Sequence, residues 1–515
     1  MPSITRRSLL LGSAAGALSL VGISACTTPR SAVAATAESV RRAEAARRTA
    51  GQRTVNAVLS PKVTTVDLGG VVVDTWAYGE SLPGPLIRAT AGDLLRVSVD
   101  NRLPADTSIH WHGVALRNDM DGVPGMTQKP IGAGARFLYE FTAPDPGTYF
   151  YHPHSGVQLD RGLHGVLVVD DPAEPGDYDL EWVVVLDDWV DGTGRTPDDV
   201  LADLQAGGAS NGMGHGGMGG MGGMGHGSMG MGGMGGMDGM GMAGAGEALT
   251  SPLLGVAGDV VYPHYLLNGR VPTSPASLSG KAGQRVRLRI VNAGSDTAFR
   301  VALGGHRLTV THTDGFPVQP LEGDALLVGM GERYDVRFTL EDGVFPLVAA
   351  AEGKQGQGLA VVRTSGGAPP AASARPAELD RLVVTAMDLL VAPQARLAGR
   401  PVERTHDLLL SGSMASYRWT INGQTFPDAD ALDVSQGERL RLRFRNMSMM
   451  FHPMHVHGHT FALNGTGVRK DTVIVRPMQS IAVDLQADNP GQWATHCHNI
   501  YHAEAGMMTT LSYQA

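Results

Sequence analysis

The chain is poor in cysteine, in aromatic residues and in basic charge. It has two cysteines, Cys26 and Cys497, in 515 residues, so no framework of disulfides can hold its domains together. Aromatic residues make up 5% of the chain, and the formal net charge is -9. Because nucleic-acid-binding proteins carry a basic patch or stripe, we expect no nucleic-acid partner. A chain of this length is expected to form roughly two to four domains, each with its own core.

A long apolar run that could cross a membrane is also missing. The apolar stretch that ends near Ala25 is short and rich in Gly, Ala and Ser. Residues 5–10, which read TRRSLL, precede it and resemble a twin-arginine signal for the export of folded proteins. We therefore predict export by the twin-arginine route to the cell envelope or periplasm, or secretion.

The cysteine in the leader allows two kinds of processing. Residues 23–26 read ISAC and resemble a lipobox, which would make Cys26 the lipidated first residue of the mature chain. Cleavage by the ordinary signal peptidase at residues 32–34 would instead discard it. We predict a signal and tether over residues 1–50, with the membrane reached only through a lipid on Cys26.

One segment occurs three times and sets the expected fold. In each copy a glycine precedes an asparagine by nine residues, at Gly92–Asn101, Gly283–Asn292 and Gly437–Asn446. Apolar residues alternate with polar ones between them, as in a half-buried strand. Many such short runs separated by Gly/Pro turns predict β-sandwiches. We therefore predict an all-β chain of three tandem modules.

The expected module boundaries follow this repeat. We predict a first module over 51–172, a middle module over 173–366 and a third module over 376–515. The middle module carries an insert rich in Met and Gly over 211–242. A linker rich in Gly, Ala and Pro begins at Ser365 and separates the middle and third modules.

Histidine pairs recur at matching positions of the first and third modules. Two pairs follow the repeated asparagine by nine residues, and two follow a later glycine by five: His110/His112, His455/His457, His152/His154 and His496/His498. The middle module is apolar at both positions. Residues i and i+2 of a strand point to the same face, so each pair presents two imidazoles, which suit copper. The two outer modules are therefore predicted to enclose a metal cluster between them.

The third module has a second ligand set around Cys497. His452 precedes its first pair, and His502 and Met507 follow Cys497 by five and ten residues. Two imidazoles, a thiolate and a weak thioether make the trigonal ligand set of a blue-copper electron-transfer site. The first module has Pro153 at the matching position and cannot build such a site. Only a few bonds separate the two predicted sites, because Cys497 lies between the last histidine pair.

These motifs resemble the four copper motifs of the three-domain multicopper oxidases, a family that includes laccases and bacterial copper-efflux oxidases. They read HWHG at 110–113, HPHSG at 152–156, HPMHVHG at 452–458 and HCHNIYHAEAGM at 496–507. The resemblance covers nearly all of 51–515 and implies three cupredoxin-like Greek-key domains with four copper ions. It implies a type 2 copper on His110 and His455, a type 3 pair on His112, His152, His154, His457, His496 and His498, and a type 1 copper on His452, Cys497, His502 and Met507.

Reduction of dioxygen to water consumes protons, so a carboxylate near the cluster is expected. Asp121 lies eleven residues after His110, where bacterial members of the resembled family keep an Asp. The alternative is a turn residue, because Asp-Gly is a common turn dipeptide. Those members also often have an acid directly after the type 1 His. Here Ala503 stands at that position, and Glu504 is the candidate for the second proton donor.

Methionine is concentrated in the insert. Ten of the 23 methionines lie in 211–242, where Gly is too dense for a core. A solvated linker is one interpretation, but thioethers are soft ligands that select Cu(I). We predict a loop that gathers Cu(I), with Met213, Met218, Met221 and Met224 as candidate ligands.

A second group of methionines precedes His452. In copper-oxidising members of the resembled family, a Met two residues before the type 1 His holds substrate Cu(I). Met450 matches that position, and Met449 adjoins it. The Asp that those members have four residues before the His is Ser448 in this chain, so either another acid substitutes or the site differs.

The sequence thus predicts an oxidoreductase that couples one-electron oxidation of Cu(I), and of phenols, to four-electron reduction of O2, in the service of copper tolerance. One alternative is a laccase or ferroxidase whose methionine insert is incidental. Another is a non-catalytic copper-storage lipoprotein. The complete ligand set around Cys497 argues against storage, because a copper sink has no use for an electron-transfer site.

Overall fold

Strands dominate the structure, as the repeated alternation predicts. The computed structural model describes residues 31–174, 176–207 and 249–515. The twin-arginine motif, Cys26 and the insert 211–242, with its four candidate methionines, lie outside these residues. No α-helix of the described ranges is both long and apolar enough to span a membrane.

One α-helix precedes the predicted first module, and nine strands lie within it. They are α1 (Glu38–Arg47), β1 (Thr54–Leu59), β2 (Pro61–Asp67), β3 (Val72–Tyr78), β4 (Ile87–Thr90), β5 (Leu94–Asp100), β6 (His110–His112), β7 (Arg136–Thr142), β8 (Gly147–His152) and β9 (Gly165–Asp170). Strands β1-β5-β7 form one sheet and β4-β9-β8-β6 another, while β2 pairs with β3.

The next elements form the ligand-free middle pair of sheets. They are β10 (Leu180–Trp189), α2 (Pro197–Gln205), β11 (Thr250–Ser251), β12 (Gly255–Val256), β13 (His264–Leu267), β14 (Ala276–Ser279), β15 (Arg285–Asn292), β16 (Phe299–Leu303), β17 (Leu308–Thr313), β18 (Phe316–Gly323), β19 (Ala325–Val328), β20 (Arg333–Thr339), β21 (Val344–Ala351), β22 (Gln357–Arg363) and β23 (Val383–Val384). The sheets have the orders β13-β10-β15-β20-β17-β18 and β14-β22-β21-β16-β19-β23.

The last elements form the third pair of sheets. They are β24 (Arg404–Ser413), β25 (Arg418–Ile421), β26 (Leu432–Val434), β27 (Arg439–Asn446), β28 (His452–Val456), β29 (Phe461–Leu463), β30 (Arg469–Lys470), β31 (Thr472–Val475), β32 (Ser480–Gln486), β33 (Gln492–Cys497), α3 (Ile500–Glu504) and β34 (Met508–Tyr513). The sheets have the orders β25-β24-β27-β32-β29-β30 and β26-β34-β33-β28-β31. These three pairs of sheets confirm the all-β fold class.

The repeated glycine and asparagine bracket the strands β5, β15 and β27. Each glycine has a left-handed backbone conformation, with φ of 90° at Gly92, 83° at Gly283 and 91° at Gly437, which only glycine adopts freely. Each asparagine accepts the N–H two residues later through Oδ1 and donates Nδ2 to carbonyls beyond it. The repeat therefore builds a strand and the turn that follows it, in modules with and without histidine pairs.

Strand β15 differs from the half-buried strand that its alternation predicts. The apolar side chains of all three repeated strands are buried, but β15 also buries Arg287 and Arg289 on its other face. Both guanidinium groups bind the carboxylate of Asp335, and Arg289 also donates to Thr148 of β8. Packing of the first module against this face explains the burial, because buried charges need partners.

The N-terminal segment is folded, which corrects the expectation of a free tether up to residue 50. Val33 donates its N–H to the carbonyl of Tyr513, next to the C-terminus. In α1, the buried Glu44 accepts hydrogen bonds from the backbone and the hydroxyl of Thr142. Burial of Val33 and Val40 fixes this segment against strands of the first and third modules. Any free tether therefore ends before residue 32.

The first residues of the predicted third module add a strand to a sheet of the middle module. Val383–Val384 pairs with β19, and the strands of the third pair of sheets begin only at Arg404. The boundary at residue 376, like the others given above, remains a prediction.

Candidate metal centres

The eight histidines of the four pairs meet where the first module contacts the third. We call them the eight-histidine cluster. Strand pairing sets His110 opposite His152 and His455 opposite His496. Ligand nitrogens approach within 4.8 Å of one another in three groups: His110/His112/His455, His112/His152/His498 and His154/His457/His496. Seven of the eight side chains are buried, and only His154 is partly exposed.

The outer nitrogen of most of these rings is hydrogen-bonded to oxygen. Carbonyl groups accept from Nδ1 of His110, His152, His455 and His496 at 2.8–2.9 Å. Carboxylates accept from His457 Nδ1 and from His112 Nε2. These bonds fix each ring and its tautomer, as second-shell partners of metal-binding histidines do. They leave the other nitrogen of each ring with a lone pair.

Those remaining nitrogens point inward and have no proton to share. Nε2 of His110, His152 and His455 is buried without a hydrogen-bond partner among the described residues. Nε2 of His457 lies 3.0 Å from Nε2 of His496, although each carries a lone pair. A cation between such atoms would relieve both the repulsion and the missing bonds. The donor set therefore fits copper, for which imidazole is a suitable ligand.

The cluster has an approximate two-fold symmetry that relates the first module to the third. The rings of His110 and His457 stack with centroids 3.7 Å apart, and those of His112 and His455 stack at 3.8 Å. If each histidine is replaced by the one at the matching position of the other module, the first stack becomes the second. The same exchange also converts the group His112/His152/His498 into His154/His457/His496. The sequence repeat predicts this relation.

Burial favours the neutral form of six of these imidazoles. It lowers the pKa of six rings well below its usual range, and the repulsion between neighbouring imidazolium charges lowers it further: His112, His152, His154, His457, His496 and His498. Neutral imidazole is the form that binds metal. The cluster is therefore ready to bind cations with little competition from protons.

A second group of donors lies inside the third module. Cys497 Sγ is 3.6 Å from Nδ1 of both His452 and His502, and those two nitrogens are 3.2 Å apart. We call this the His–Cys group. Met507 is fully buried, and its carbonyl accepts the Cys497 N–H. Burial raises the pKa of the Cys497 thiol, so a thiolate needs a cation beside it. Both nitrogens and the sulfur face one point, which fits a soft metal ion.

Two residues hold the outer nitrogens of the His–Cys group. His502 Nε2 donates to Asp259 Oδ2 at 2.9 Å, and Tyr417 donates its hydroxyl to the same oxygen at 2.6 Å. The hydroxyl of Ser448 lies 2.8 Å from His452 Nε2. Sequence reasoning missed Asp259 and Tyr417, because Asp259 belongs to the middle module and no spacing connects it to His502. Asp259 contacts the other histidine of the group, His502, so the question of whether an acid replaces the one missing at position 448 stays open.

The candidate acids occupy different places. Asp121 is fully buried: its carbonyl accepts from His110, and its Oδ2 lies 2.9 Å from His457 Nδ1. It also follows the 3-10 helix Asn118–Met120 and precedes Gly122, whose φ is 82°, so Asp121 lies in a turn, and its role as a proton donor remains a prediction. Glu504 lines a cavity of about 460 Å³ together with His154.

Asp471 is a further acid at the cluster that sequence reasoning missed. Its carbonyl accepts from His455, and its Oδ1 accepts from His112 Nε2 at 3.1 Å. Arg333 of the middle module donates to both carboxylate oxygens at 2.7 Å. Burial alone would raise the pKa of Asp471, but the Arg333 guanidinium outweighs it and holds this pKa well below its usual range. No motif spacing connects Asp471 with Arg333.

The methionines near His452 separate by exposure. Met450 is 3% exposed and packs in the main core, whereas Met449 is 67% exposed. Neither methionine side chain makes a hydrogen bond to the His–Cys group among the described residues. Their role as Cu(I) ligands therefore remains a prediction. The other four candidates, Met213, Met218, Met221 and Met224, lie outside the described residues.

Comparison with known protein families gives three matches along the chain. Family models with the description Multicopper oxidase match residues 61–174, 235–367 and 400–515. The matched ranges together cover more than half of the sequence and include every histidine pair and Cys497.

Individual proteins give the same result. The chain is 48% identical to the Multicopper oxidase MmcO of Mycobacterium tuberculosis, over 99% of this chain and 96% of that protein. It is 28% identical to a Copper resistance protein A homolog of Pseudomonas syringae pv. tomato, over 86% and 90% of the two chains, and 28% identical to Laccase-3 of Botryotinia fuckeliana, over 82% and 99%. A solved multi-copper oxidase from Pseudomonas thermotolerans superposes with a TM-score of 0.63 at 25% identity, over 90% of this chain and 100% of that one.

Proposed function

The chain belongs to the multicopper oxidase family and is therefore an oxidoreductase with copper as its cofactor; from this premise we propose that it oxidises Cu(I) one electron at a time and reduces O2 to water. The relative that is named for copper resistance supports Cu(I) as substrate and copper tolerance as the role. The relative that is a laccase supports phenols as further substrates.

Four copper ions per chain are proposed, in two centres. The His–Cys group with Met507 would hold a type 1 copper. Within the eight-histidine cluster, His110 and His455 would hold a type 2 copper, and the two remaining groups of three would hold a type 3 pair. Bound copper supplies one-electron redox chemistry and a place at which O2 is reduced.

The observation that carries this proposal is the position of Cys497 between two cluster residues. Its sulfur faces His452 and His502, while its neighbours His496 and His498 belong to two different groups of the cluster. The backbone of one strand end thus joins both centres through a few covalent bonds. A storage protein would not need this connection. An oxidase needs it, because it accepts electrons one at a time and uses four of them to reduce one O2.

At the His–Cys group, the chain's own residues orient the ligands and exclude water. His452, Cys497, His502 and Met507 are all fully buried. Ser448 and Asp259 occupy the outer nitrogens of the two imidazoles, so both rings present Nδ1 toward Cys497. Tyr417 donates its hydroxyl to that carboxylate, and the backbone N–H of Asp259 donates to the carboxylate of Asp296. Both hydrogen bonds hold Asp259 in place. The outer edge of the His452 ring then lies one hydrogen bond from the partly exposed Ser448, where a substrate would deliver its electron, and that of His502 lies one hydrogen bond from Asp259 of the middle module.

Asp121 and Glu504 are the proposed proton donors. Asp121 Oδ1 has no hydrogen-bond partner among the described residues and lies 3.2 Å from His110 Nδ1, so the Asp121 carboxyl group is directly beside the cluster that would consume protons. The cavity that Glu504 and His154 share would bring water to the other side. Protons are consumed with every O2, so a path from solvent to a carboxylate near the cluster is required.

Soft thioethers are the proposed means of substrate capture. Met449 and Met450 precede His452, and the ten methionines of 211–242 would gather Cu(I) from outside. Export by the twin-arginine route and a lipid on Cys26 are proposed on the leader motifs alone, and they would bring the enzyme to the copper that enters the cell envelope.

The competing function is that of a laccase or ferroxidase whose methionines are incidental. One comparison separates the two: oxygen uptake on a single preparation with Cu(I), Fe(II) and a phenol. We expect the highest kcat/KM for Cu(I) and a measurable rate with the phenol. A higher kcat/KM for Fe(II) or for the phenol would overturn Cu(I) as the main substrate. The matched control is Cys497→Ser, which should consume no O2 with any of the three.

A further inference from the structure

The two histidines of the His–Cys group differ in what covers their outer nitrogens. His452 Nε2 lies 2.8 Å from the hydroxyl of Ser448, which is partly exposed. His502 Nε2 instead donates at 2.9 Å to Asp259 Oδ2, and the Asp259 side chain is fully buried. The His452 edge of the group therefore lies close to solvent, whereas the His502 edge is closed.

Tyr417 closes the His502 edge. Its hydroxyl donates to the same Asp259 oxygen at 2.6 Å, and only 2% of Tyr417 is exposed. Its ring meets that of Trp419 edge to face with centroids 6.4 Å apart, and the Trp419 centroid lies 4.1 Å from that of His502. We call Tyr417 and Trp419 the aromatic cap. With the cap in place, the side chains of Asp259 and His502 have no exposed surface.

The hairpin of β24 and β25 carries the cap. Trp419 pairs with Gly412 in this hairpin, and a Cβ at Gly412 would lie 2.0 Å from the Trp419 ring, so the ring needs glycine opposite it. The N–H of Trp419 donates to the carbonyl of Ala505, the residue directly after α3. The hairpin is thus attached to the helix that contains His502.

Tyr417 has a strained backbone conformation. Its φ is 40°, in the left-handed region that bulky residues rarely adopt and that Gly or Asn adopts with less strain. Such strain persists only where the surrounding contacts outweigh it, and it is concentrated at functional sites. The contacts of Tyr417 are the hydrogen bond to Asp259 and the packing against Trp419. The conformation therefore indicates a role for a phenol at this position.

We propose that Tyr417 excludes phenolic substrates from the His502 edge and thereby favours electron donors that reach the His452 edge. The tyrosine side chain is a 4-methylphenol joined to the backbone through its methyl carbon. It therefore has the shape and the hydrogen-bond donor of the molecules that it would exclude, and it occupies the carboxylate oxygen that they would use. This inference rests on the proposed oxidase function for its purpose, but phenol binding tests it without turnover.

The binding test removes the Tyr417 side chain and offers a phenol in its place. Glycine adopts the backbone conformation of Tyr417 freely, so Tyr417→Gly should leave a space lined by Asp259 and Trp419. The holoenzyme is fully reduced under argon, so that no phenol is oxidised, and 4-fluorophenol is followed by ¹⁹F NMR. We expect a saturable bound signal in the variant and none in the wild type. We also expect 4-fluorophenol to raise the melting temperature of the variant alone.

Two outcomes of this test would overturn the proposal. One is a wild type that binds 4-fluorophenol as tightly as the variant does, and the other is a folded Tyr417→Gly protein without a bound signal. The double variant Tyr417→Gly, Asp259→Leu assigns the signal, because it lacks the acceptor and should lose phenol binding. A signal that persists there would place the phenol elsewhere and refute the inference.

Turnover then shows whether the space admits a substrate. We expect kcat/KM for 4-methylphenol, divided by kcat/KM for Cu(I), to rise at least about tenfold in Tyr417→Gly, since a hydrogen bond to a charged group is worth that much. In each cycle four phenols would lose four electrons and four protons, which one O2 takes up to form two water molecules. An unchanged or lower ratio would contradict a role of Tyr417 in specificity.

Three matched variants separate exclusion from support of Asp259 and from stability. Tyr417→Phe removes the hydroxyl but fills the space, so it should bind no 4-fluorophenol and leave the ratio unchanged; a rise as large as in Tyr417→Gly would refute exclusion by the ring. Ser416→Gly adds backbone freedom at an exposed position of the same turn and should change nothing. Tyr417→Asn suits the same backbone conformation and should repeat the glycine result, so it decides the matter if Tyr417→Gly does not fold.

The outcomes also separate the cap from the proposed function. If 4-fluorophenol binds in Tyr417→Gly but neither protein oxidises Cu(I), the cap stands and the proposed function falls. If the wild type oxidises Cu(I) while the folded variant binds no phenol, the proposed function stands and the cap falls.

Discussion

Two aspartates occupy matching places on opposite sides of the eight-histidine cluster. Asp121 of the first module accepts from His110 through its carbonyl and contacts His457 with its carboxylate. Asp471 of the third module accepts from His455 through its carbonyl and contacts His112 with its carboxylate. The approximate two-fold symmetry of the histidines therefore extends to the acids that hold them.

The surroundings of the two acids are different. Arg333 binds both carboxylate oxygens of Asp471, and Thr472 donates to one of them. Asp121 has no such cation among its contacts in the described residues, and its Oδ1 has no hydrogen-bond partner there. Asp471 is thus the partner of a buried cation and orients His112, whereas the proton role that we propose falls to Asp121, which has no such partner.

The source of the difference is the middle module, which has none of the four histidine pairs. Its Asp314 accepts the N–H groups of Asp471 and Thr472, and its Glu332 pairs with the buried Lys470. It also provides Asp259 at the His–Cys group. The middle module therefore supports the third module's side of both centres, and the predictions below test that asymmetry from the largest expected effect to the smallest.

The first prediction concerns Cys497, which has no counterpart in the first module. Cys497→Ser should abolish the intense thiolate-to-copper absorption and lower turnover by at least about three orders of magnitude, as loss of one member of a catalytic unit does. Copper analysis should show the cluster's three ions retained, since its histidines are intact. A variant that stays blue would contradict the assignment of Cys497.

The second prediction breaks the cluster and spares the His–Cys group. His112→Ala or His498→Ala should keep the blue absorption and stop O2 reduction, because neither residue contacts Cys497 Sγ. In a stopped-flow experiment, a reductant should bleach the blue band, and added O2 should not restore it. Rapid reoxidation in either variant would refute the separation of roles.

The third prediction compares the two aspartates directly. Asp471→Asn removes the carboxylate that binds the buried Arg333 guanidinium through both oxygens and leaves it only Asp314 at 3.5 Å, so it should destabilise the fold by about 3–5 kcal/mol. Asp121→Asn removes no ion pair with Arg or Lys, so its cost should be about 1 kcal/mol, but turnover should fall by about 10²-fold through loss of a proton donor. Thermal unfolding and steady-state O2 uptake measure the two effects. Equal stability losses would show that the acids are equivalent after all.

Strand periodicity explains why the ligands could be found in the sequence and their supports could not. The pairs at 110–112 and 455–457 are visible because residues i and i+2 of a strand share a face, and the Gly and Asn repeat fixes their register. Packing between modules brings Asp259, Arg333 and Asp471 to the centres. No fixed spacing along the sequence therefore indicates these residues. The middle module also departs from the repeat: Val301 pairs with Ala349, one residue beyond the position that matches His152 and His496.

The fourth prediction asks whether the middle module supports the His–Cys group as it supports the cluster. Asp259→Asn keeps the shape of the contact with His502 but removes its charge. Anaerobic reduction of the blue band should slow by about tenfold, a usual cost of losing a second-shell partner. Ser448→Ala is the matched change within the third module, and it should slow reduction by less, since its contact to His452 is neutral. The opposite order would place the main support of this centre within the third module.

The fifth prediction concerns the insert of the middle module and has the smallest expected effect. Deletion of 211–242 removes ten methionines, but none of the contacts that Asp259, Asp314 or Arg333 make from the rest of that module. The blue absorption and the melting temperature should therefore be unchanged, because the cost of closing a loop changes slowly with its length. Phenol oxidation should hold steady or rise, and Cu(I) oxidation at low copper should fall by at most about tenfold, since capture raises only the local concentration. Excess Cu(I) should restore the rate. The decisive measurement is the ratio of kcat/KM for Cu(I) to kcat/KM for phenol, before and after the deletion. An unchanged ratio would mean that the methionines of the insert have no part in Cu(I) oxidation. The middle module would then act only through its buried acids and Arg333.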